Sequence, residues 1–295
     1  MQMYIQNSYI DETEGRLYII PTPIGNLEDM TFRAVRMLKE VDLIAAEDTR
    51  HTQKLLNHFE IDNETISYHE HNRLERIPHL LERLEAGQSI GLVSDAGMPA
   101  ISDPGYELVE AAIEKEIPVV VLPGANAAVS ALVASGLSTE AFTFVGFLPR
   151  KKRDKEEVLT RLKAHKATLI FYESPHRVKD SLDTIQQVWG ERQVVLAREL
   201  TKMYEQFVRG AISEVTAWLK ENSLRGECVL VIEGAAEDMA IEEANWWATM
   251  SLADHVQHYE KSENLRHKEA MRAVAKDRNI SRRDVYEALH VKKEN

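Results

Sequence analysis

Ile90-Gly-Leu-Val-Ser-Asp-Ala-Gly-Met-Pro-Ala-Ile-Ser-Asp-Pro-Gly105 carries the strongest architectural signal in the chain. It opens with Ile90 to Val93, an apolar run of the length of a buried strand. Ser94-Asp95-Ala96-Gly97 then turns the chain and leaves backbone N–H groups bare. Ser102-Asp103-Pro104 has the pattern of a helix start, with Asp103 as N-cap and Pro104 at the first helical position. The connection between strand and helix is longer than the roughly two to six residues usual for such a join. In open α/β sheets, ligands bind at the carboxyl ends of the strands, so a long loop of small residues there points to a site.

Upstream, Arg16-Leu-Tyr-Ile-Ile20 reads as a strand halted by Pro21-Thr-Pro-Ile-Gly25. A helix follows, with Phe32, Val35, Leu38 and Val41 at helical spacing. A second strand, Asp42 to Ala46, ends in Glu47-Asp48-Thr49-Arg50-His51, and a helix runs through Leu55 and Leu56. An extended piece, Ile66 to Tyr68, leads into His69-Glu-His71 and a helix from Leu74 to Glu85 with Gly87 as its C-cap. Downstream come a helix through Leu108 and Ile113, a strand from Pro118 to Leu122, and Pro123-Gly-Ala-Asn126 before an alanine-rich helix to Ala134. Such alternation predicts an α/β domain over 16–135 with a mainly parallel sheet. A seam falls at 136–147, and a second α/β domain is expected over 136–234. In it Arg150-Lys-Lys-Arg153 opens a helix to about His165, and the strand Thr168 to Tyr172 ends in Glu173-Ser-Pro-His-Arg177. Val194 to Ala197, Glu205 to Arg209 and Glu227 to Glu233 read as further strands. The short gap between the first two suggests a hairpin and hence a mixed sheet. The acidic run Ala235 to Glu243 reads as a linker, and the remainder to 295 as a helical tail with a turn at Asn279 to Arg283.

At 295 residues, 44% hydrophobic and 28% charged, the composition suits two globular domains, and no apolar run is long enough to span a bilayer. The leader, residues 1–15, is polar and acidic without the apolar stretch of a signal peptide, and is expected to be flexible. One cysteine, Cys228, excludes an internal disulfide and points to a reducing, cytoplasmic setting. Its apolar surroundings suit a buried structural thiol. Net charge is −12, yet Lys261 to Asn295 holds ten Lys or Arg against six Asp or Glu, a local +4 that leaves −16 elsewhere. That asymmetry marks a basic appendage.

No Gly-x-Gly-x-x-Gly follows a strand and no phosphate loop occurs, while Pro21 and Pro23 occupy the first strand-to-helix turn. These features argue against the usual NAD and ATP enzymes. No cysteine cluster or His-Glu-x-x-His is present. His69 and His71 share a strand face but lack a third ligand, so no metal is expected. What remains is polar residues at strand ends: Glu47, Asp48, Arg50, Asp95, Asn126, Glu173, Arg177, Glu199 and Lys202. Their recurrence favours a cleft between two domains.

Four segments in register, Leu17 to Asn26, Ala45 to His51, Val93 to Pro99 and Phe171 to Arg177, resemble the tetrapyrrole methylase superfamily. Within it they resemble the bacterial branch that methylates a cytidine ribose 2′-hydroxyl of small-subunit (16S) ribosomal RNA. The resemblance spans about 16–234. It implies two α/β domains, S-adenosylmethionine (SAM) in the cleft between them, and a homodimer. Where the family has Gly-Asp-Pro, this chain has Ser94-Asp95-Ala96-Gly97; Pro-Gly-x-Thr-Ser corresponds to Pro123 to Ala127, and Tyr-Met to Tyr172-Glu173. The implied cofactor contacts are Pro21, Gly25, Ser94, Asp95, Ala96, Gly97, Asn126, Ala127, Phe171 and Tyr172. For the acceptor hydroxyl, Glu47, Asp48 and Glu173 are candidate bases, with Arg50, Arg177 and Lys202 as candidate phosphate ligands. The plainer role for those carboxylates is pairing with the same cations. Lys268, Arg272, Lys276, Arg278, Arg282 and Arg283 in the tail suit RNA docking, with Arg150 to Arg153 as a second patch. Alternatively the tail packs through Trp246, Trp247, Leu252 and Val256. Two other functions compete: methylation of a tetrapyrrole or other small acceptor, and a non-catalytic RNA-binding assembly factor.

Overall fold

The short apolar runs of the first half become a five-stranded sheet, because alternate residues of each strand have a helix to pack against. The computed structural model describes residues 3–7, 15–236, 247, 250–263, 265–278 and 280–290. In it β1 (Leu17–Ile19), β2 (Leu43–Ala46), β3 (Thr65–Ser67), β4 (Ile90–Val93) and β5 (Val119–Val121) lie in the order β3-β2-β4-β1-β5. Every neighbouring pair is parallel. Helices α1 (Phe32–Glu40), α2 (Thr49–His58), α3 (Arg73–Glu85) and α4 (Tyr106–Glu114) cover the two faces. On β2, Leu43 and Ala45 pack with Leu80, Leu84 and Leu108 on one face, while Ile44 and Ala46 pack with Leu38 and Leu56 on the other. Period-two alternation into two apolar layers is what a doubly covered parallel sheet requires.

Helix α5 (Ala127–Ser135) leads to the second sheet, formed by β6 (Phe142–Phe147), β7 (Thr168–Glu173), β8 (Gln193–Arg198), β9 (Gln206–Ala211) and β10 (Cys228–Ile232). Its order is β6-β7-β10-β8-β9, with β6–β7 parallel and the other pairs antiparallel, so the sheet is mixed. The connecting helices are α6 (Lys152–Leu162), α7 (Val178–Trp189) and α8 (Ile212–Glu221). One face packs Ile170, Val195, Ala197, Val229 and Val231 against Ala128, Ala131 and Leu132 of α5.

Several local expectations shift. Phe32, placed on the inner stripe of α1, is 96% exposed, and Ala34, Met37 and Leu38 take the buried positions. The C-cap of α3 is Ala86, with Gly87 one residue beyond at φ +87. The expected seam at 136–147 contains strand β6. Helix α4 does not start at Pro104: Gly105 is its N-cap, at φ +151, and Asp103 caps nothing. The leader is not uniformly loose, since the Gln6 side-chain amide exchanges two 2.9 Å hydrogen bonds with the backbone of Val119 on edge strand β5. The rest of that leader, 1–2 and 8–14, lies outside the described residues, as do 237–246 with Trp246.

The chain divides into two compact units, 1–161 with 167–233, and 162–166 with 234–295. In the second unit, α9 (Leu252–Ser262), α10 (His267–Asp277) and α11 (Arg282–His290) enclose a core of Val256, Ala270, Met271, Val274, Ala275 and Val285. His255 is fully buried between the rings of Trp247 and Tyr259, at 5.7 and 5.3 Å. No helix among the described residues is long and apolar enough to cross a membrane.

Candidate active site

The turns after β1, β2, β4 and β5 face the end of β7 and the start of β10 across a cavity of about 380 Å³. Ile24, Met98, Ile101, Leu200 and Val229 give it apolar walls. Its charged lining residues are Glu47, Asp95, Asp103, Glu173 and Glu227; no lysine, arginine or histidine is among them. A second cavity of about 510 Å³ shares Ile24, Asp95, Ala96 and Glu227 with the first, but carries His51, Lys54 and Lys202.

The loop after β4 is tied down from three sides. Thr22 and Gly97 exchange backbone hydrogen bonds of 2.9 and 3.0 Å, and the Thr22 hydroxyl donates to the Ser94 carbonyl at 3.1 Å. The Asp95 N–H donates to Glu47 Oε2 at 3.2 Å, while the Asp48 N–H donates to Asp95 Oδ1 at 3.1 Å. Gly97 adopts φ +81, and a Cβ there would sit 3.2 Å from Ile24, so a larger residue is disfavoured by backbone and space together. Ala100 and Ser102 are also left-handed, at φ +66 and +65. Such strain persists only where the surroundings over-determine it, and it gathers at functional sites. The helix starts only at Tyr106, and Asp103, on the cavity wall, interacts with the Ser94 hydroxyl. Burial, and then the nearby Glu47 charge, push the Asp103 carboxyl up to about 7. Burial also raises Glu47, with the Asp95 charge adding to it and the Asp95 N–H opposing it.

The residues expected at the site fall into three groups. Glu47, Asp95, Ala96, Gly97, Asn126, Ala127, Tyr172 and Glu173 line the first cavity. Gly25, Ser94 and Lys202 line the second. Asp48, Arg50, Arg177, Pro21 and Phe171 line neither. Asp48 is the N-cap of α2; its carboxylate accepts the Arg50 N–H at 2.8 Å and pairs with the Arg50 guanidinium at 2.9 Å. Those bonds hold it down at about 2, which makes it a feeble base. Pro21 is buried and fills the space where a Cβ on Gly124 would lie. Phe171 is fully buried and packs near Trp189, at 6.2 Å between rings. Strand alternation sends Tyr172 to the cavity and Phe171 to the opposite face.

Glu173, 2% exposed, accepts from Ser181 Oγ at 2.7 Å and its neighbour Ser174 N at 2.9 Å, and pairs with Arg177 Nε at 3.4 Å. Arg177 also donates to the carbonyls of Leu148 and Pro149, at 2.7 and 3.1 Å. It thereby fastens the β6–α6 loop to the end of β7. Lys202 bridges Glu199 at 3.0 Å and Glu227 at 2.9 Å; burial opposes its charge, but these bonds outweigh it and hold its pKa above the usual value. Its stem lies where a Cβ on Gly25 would be. Asn126 caps α5 by accepting the Val129 N–H at 3.0 Å. Cys228 is buried, and burial pushes its thiol up to about 12. Among the described residues no group of three metal-ligating side chains gathers, and the His69 and His71 rings stand 6.0 Å apart.

The lining residues that sequence reasoning did not single out include Asp103, Phe147 and Glu227. Asp103 sits in a pattern that reads equally as a helix cap, so no local signal separates the two roles.

An acid-lined cavity suits a ligand that carries positive charge. The sequence profile described as Tetrapyrrole (Corrin/Porphyrin) Methylases matches residues 16–216. A protein of Halalkalibacterium halodurans named ribosomal RNA small subunit methyltransferase I is 54% identical over 98% of this chain and 99% of its own. Its Bacillus subtilis namesake is 50% identical over 94% and 95%. In fold, the chain resembles uroporphyrin-III C-methyltransferase of Thermus thermophilus complexed with S-adenyl homocysteine, with TM-score 0.51, 19% identity, and coverage of 74% and 97%. The chain belongs to the tetrapyrrole (corrin/porphyrin) methylases, and within them to the family of ribosomal RNA small subunit methyltransferase I.

Proposed function

We propose that this chain transfers a methyl group from SAM to the 2′-hydroxyl of a cytidine ribose in small-subunit (16S) ribosomal RNA, in the cytoplasm. The observation that carries the reading is the exclusively acidic charge of the cavity wall in a member of this family. A cofactor bearing phosphates would meet repulsion from those carboxylates, whereas a sulfonium and an ammonium meet complementary charge. The structural neighbour bound to S-adenyl homocysteine supports the same choice. About 380 Å³ lies within the usual span of small-ligand sites, roughly 300–1,000 Å³.

Ile24, Met98, Leu200 and Val229 would flank the adenosyl part, the backbone of Asp95 to Gly97 and Ala127 would fix its position, and Glu47 and Asp103 would face its positive charge. Bound there, SAM supplies an electrophilic methyl on a positively charged sulfur, open to in-line displacement by a hydroxyl oxygen. The acceptor hydroxyl is scarcely ionised at neutral pH and needs a base, whose contribution is about 10²–10⁴-fold. Asp103 is best placed: its carboxylate reaches the cavity and binds a proton near neutrality. Asp48 is held too acidic by Arg50, and Glu173 is engaged by Ser181 and Arg177. Glu47 lies beside it on the same wall, and the proton leaving the 2′-oxygen would settle on Asp103.

The test is incubation with methyl-labelled SAM and either small ribosomal subunits or porphyrinoids, followed by nucleoside mass spectrometry. Label in 2′-O-methylcytidine is expected; label confined to a porphyrinoid would move the activity to a small acceptor. We also propose a division of the body near residue 136 into two domains and assembly into a homodimer. Val121 on edge strand β5 and Val129 and Val133 on α5 are exposed, Val133 by 73%, and these side chains would gain from burial against a second copy. Val133→Glu should then shift the light-scattering mass towards that of one chain.

A further inference from the structure

The acid-only cavity raises a difficulty for any polyanionic acceptor, and the edge of the second sheet supplies the answer. Strand β6 carries a register shift: Phe144 pairs with Ile170 and Gly146 with Phe171, so Val145 is an extra residue. Without that bulge, Phe144 and Phe147, three positions apart, would point to opposite faces of the strand. With it, both rings lie edge-on to Tyr172, at 4.9 and 5.8 Å between centroids. Phe147 therefore joins the cavity wall, yet it remains 57% exposed. Its contact with Tyr172 covers one side of the ring and leaves the rest open to solvent beside the cavity.

Three residues on, at most about 10 Å of chain, Arg150, Lys151, Lys152 and Arg153 follow in succession, all exposed. Lys152 has a loose partner in Glu156 at 3.7 Å; among the described residues no acidic group lies within 4.0 Å of Arg150, Lys151 or Arg153. In a chain of net charge −12, four adjacent cations are conspicuous. Their position is fixed, because Arg177 grips the carbonyls of Leu148 and Pro149 between the ring and the charges. The start of α6 at Lys152 adds the positive end of a helix dipole to the same place.

We propose that Phe147 and Arg150 to Arg153 form the docking platform for the RNA strand that carries the acceptor ribose. A nucleobase stacks on Phe147 at the cavity mouth, and the phosphates beside it are held by Arg150, Lys151 and Arg153. Exposed aromatic rings next to cationic side chains are how proteins hold unpaired nucleotides without reading their sequence. The placement also keeps phosphate charge outside the acidic cavity while presenting the ribose to it. The inference rests on the rRNA reading above, and Arg177 acts in it as a positioning residue.

The test uses the full chain, a fluorescein-labelled single-stranded RNA oligonucleotide for binding, and small subunits with labelled SAM for turnover. Replacing Arg150, Lys151 and Arg153 by Ala should weaken oligonucleotide binding at least about tenfold and flatten its log–log salt dependence by about 2, the share of three phosphate contacts on a single strand. SAM affinity of that variant by calorimetry should be unchanged. Phe147→Ala should lower kcat/KM on subunits about 5- to 100-fold, as expected for loss of one stacked base. Phe147→Trp should restore it, and Phe147→Leu, apolar but unable to stack, should not. Wild-type binding and turnover in both the triple variant and Phe147→Ala would overturn the platform. Should the variants lose binding while the wild type labels no RNA, the platform stands and the methylation reading fails.

Discussion

Inside the first cavity every charged lining residue is acidic; three residues beyond its rim the chain turns cationic. The two regions are joined by a single arginine. Arg177 pairs with Glu173 on the wall and holds the Leu148 and Pro149 carbonyls that lead to the basic run. The contrast teaches how one enzyme of acidic composition handles two ligands of opposite sign. On the proposed reading, a cationic cofactor would be drawn inward by the buried carboxylates, and an anionic polymer would be retained outside by exposed lysines and arginines. Charge is sorted by depth, which matters because a buried charge acts through a weaker dielectric and an exposed one is screened by salt.

The largest effect should come from erasing the interior half of that contrast. Asp103→Asn removes both a negative charge and the proposed proton acceptor, and turnover on subunits should fall about 10²–10⁴-fold. Quenched-flow transfer of labelled methyl at saturating RNA measures it; a loss under threefold would return the role to Glu47. Next in size is the joint. Arg177→Ala strands the carboxylate of Glu173, whose side chain is 1% exposed, beside Ser181. Breaking one partner out of a buried pair costs about 3 kcal/mol, so the melting temperature should drop roughly 6–12 °C. Arg177→Lys should not recover it, since an ammonium lacks the fork that reaches two carbonyls and a carboxylate at once.

A subtler probe is pH. Because the folded-state pKa of Asp103 lies near 7, above the ordinary 3.8, the folded chain holds a proton there that the unfolded chain releases. Stability from this group is thus highest below pH 4 and is lost as pH rises towards 7. At pH 8, Asp103→Asn should melt about 2 °C higher than the wild type. SAM should bind more tightly as pH rises from 6 to 8, by up to about tenfold, because a cation favours the ionised carboxylate. Calorimetry in buffers of different ionisation enthalpy would register proton release on binding below pH 7, absent in Asp103→Asn.

Much of this was legible in the sequence for a plain reason. Parallel strands with both faces covered must be short apolar runs, and Ile90 to Val93 or Leu43 to Ala46 permit little else. The loop after β4 was legible through its length. What stayed hidden depends on angles the sequence does not state. Asp103 looks like a helix cap until left-handed Ala100 and Ser102 carry the chain past that option. Phe147 looks like part of a seam until the extra Val145 rotates it to the cavity. Phe171 and Tyr172 are neighbours in a motif, yet strand alternation gives the cavity only the second. Asp48 and Arg50 ended a strand as expected, but the need to cap α2 engages both.

The smallest effect separates two uses of basic side chains within the helical unit. Lys268, Arg272 and Lys276 recur every four residues along α10, and all are exposed. Arg278, expected with them as an RNA contact, is turned inward: its guanidinium donates to the carbonyls of Trp247 and Met250, at 2.9 and 2.6 Å, and lies 4.9 Å from the Trp247 ring centroid. Its Nε donates to the buried His255 at 3.2 Å, beside a charge that helps keep that imidazole's pKa depressed below its ordinary value, burial being the larger cause. One basic run along the chain therefore contains an exposed stripe, which we propose docks RNA, and a structural clamp. Replacing Lys268, Arg272 and Lys276 by Ala should leave the melting curve unchanged and weaken binding to small subunits several-fold, with a salt dependence shallower by roughly 2. Arg278→Ala should do the reverse at first instance, loosening the helical unit in hydrogen exchange and weakening RNA binding only through that loss of order. Deleting the chain from Ala244 would remove both contributions and leave SAM affinity intact, because the cavity lies wholly in the α/β body. If the triple variant bound subunits as tightly as the wild type at 50 mM and at 200 mM salt alike, the stripe would be an ordinary solvated helix face, and Arg150 to Arg153 would stand as the main grip on phosphate.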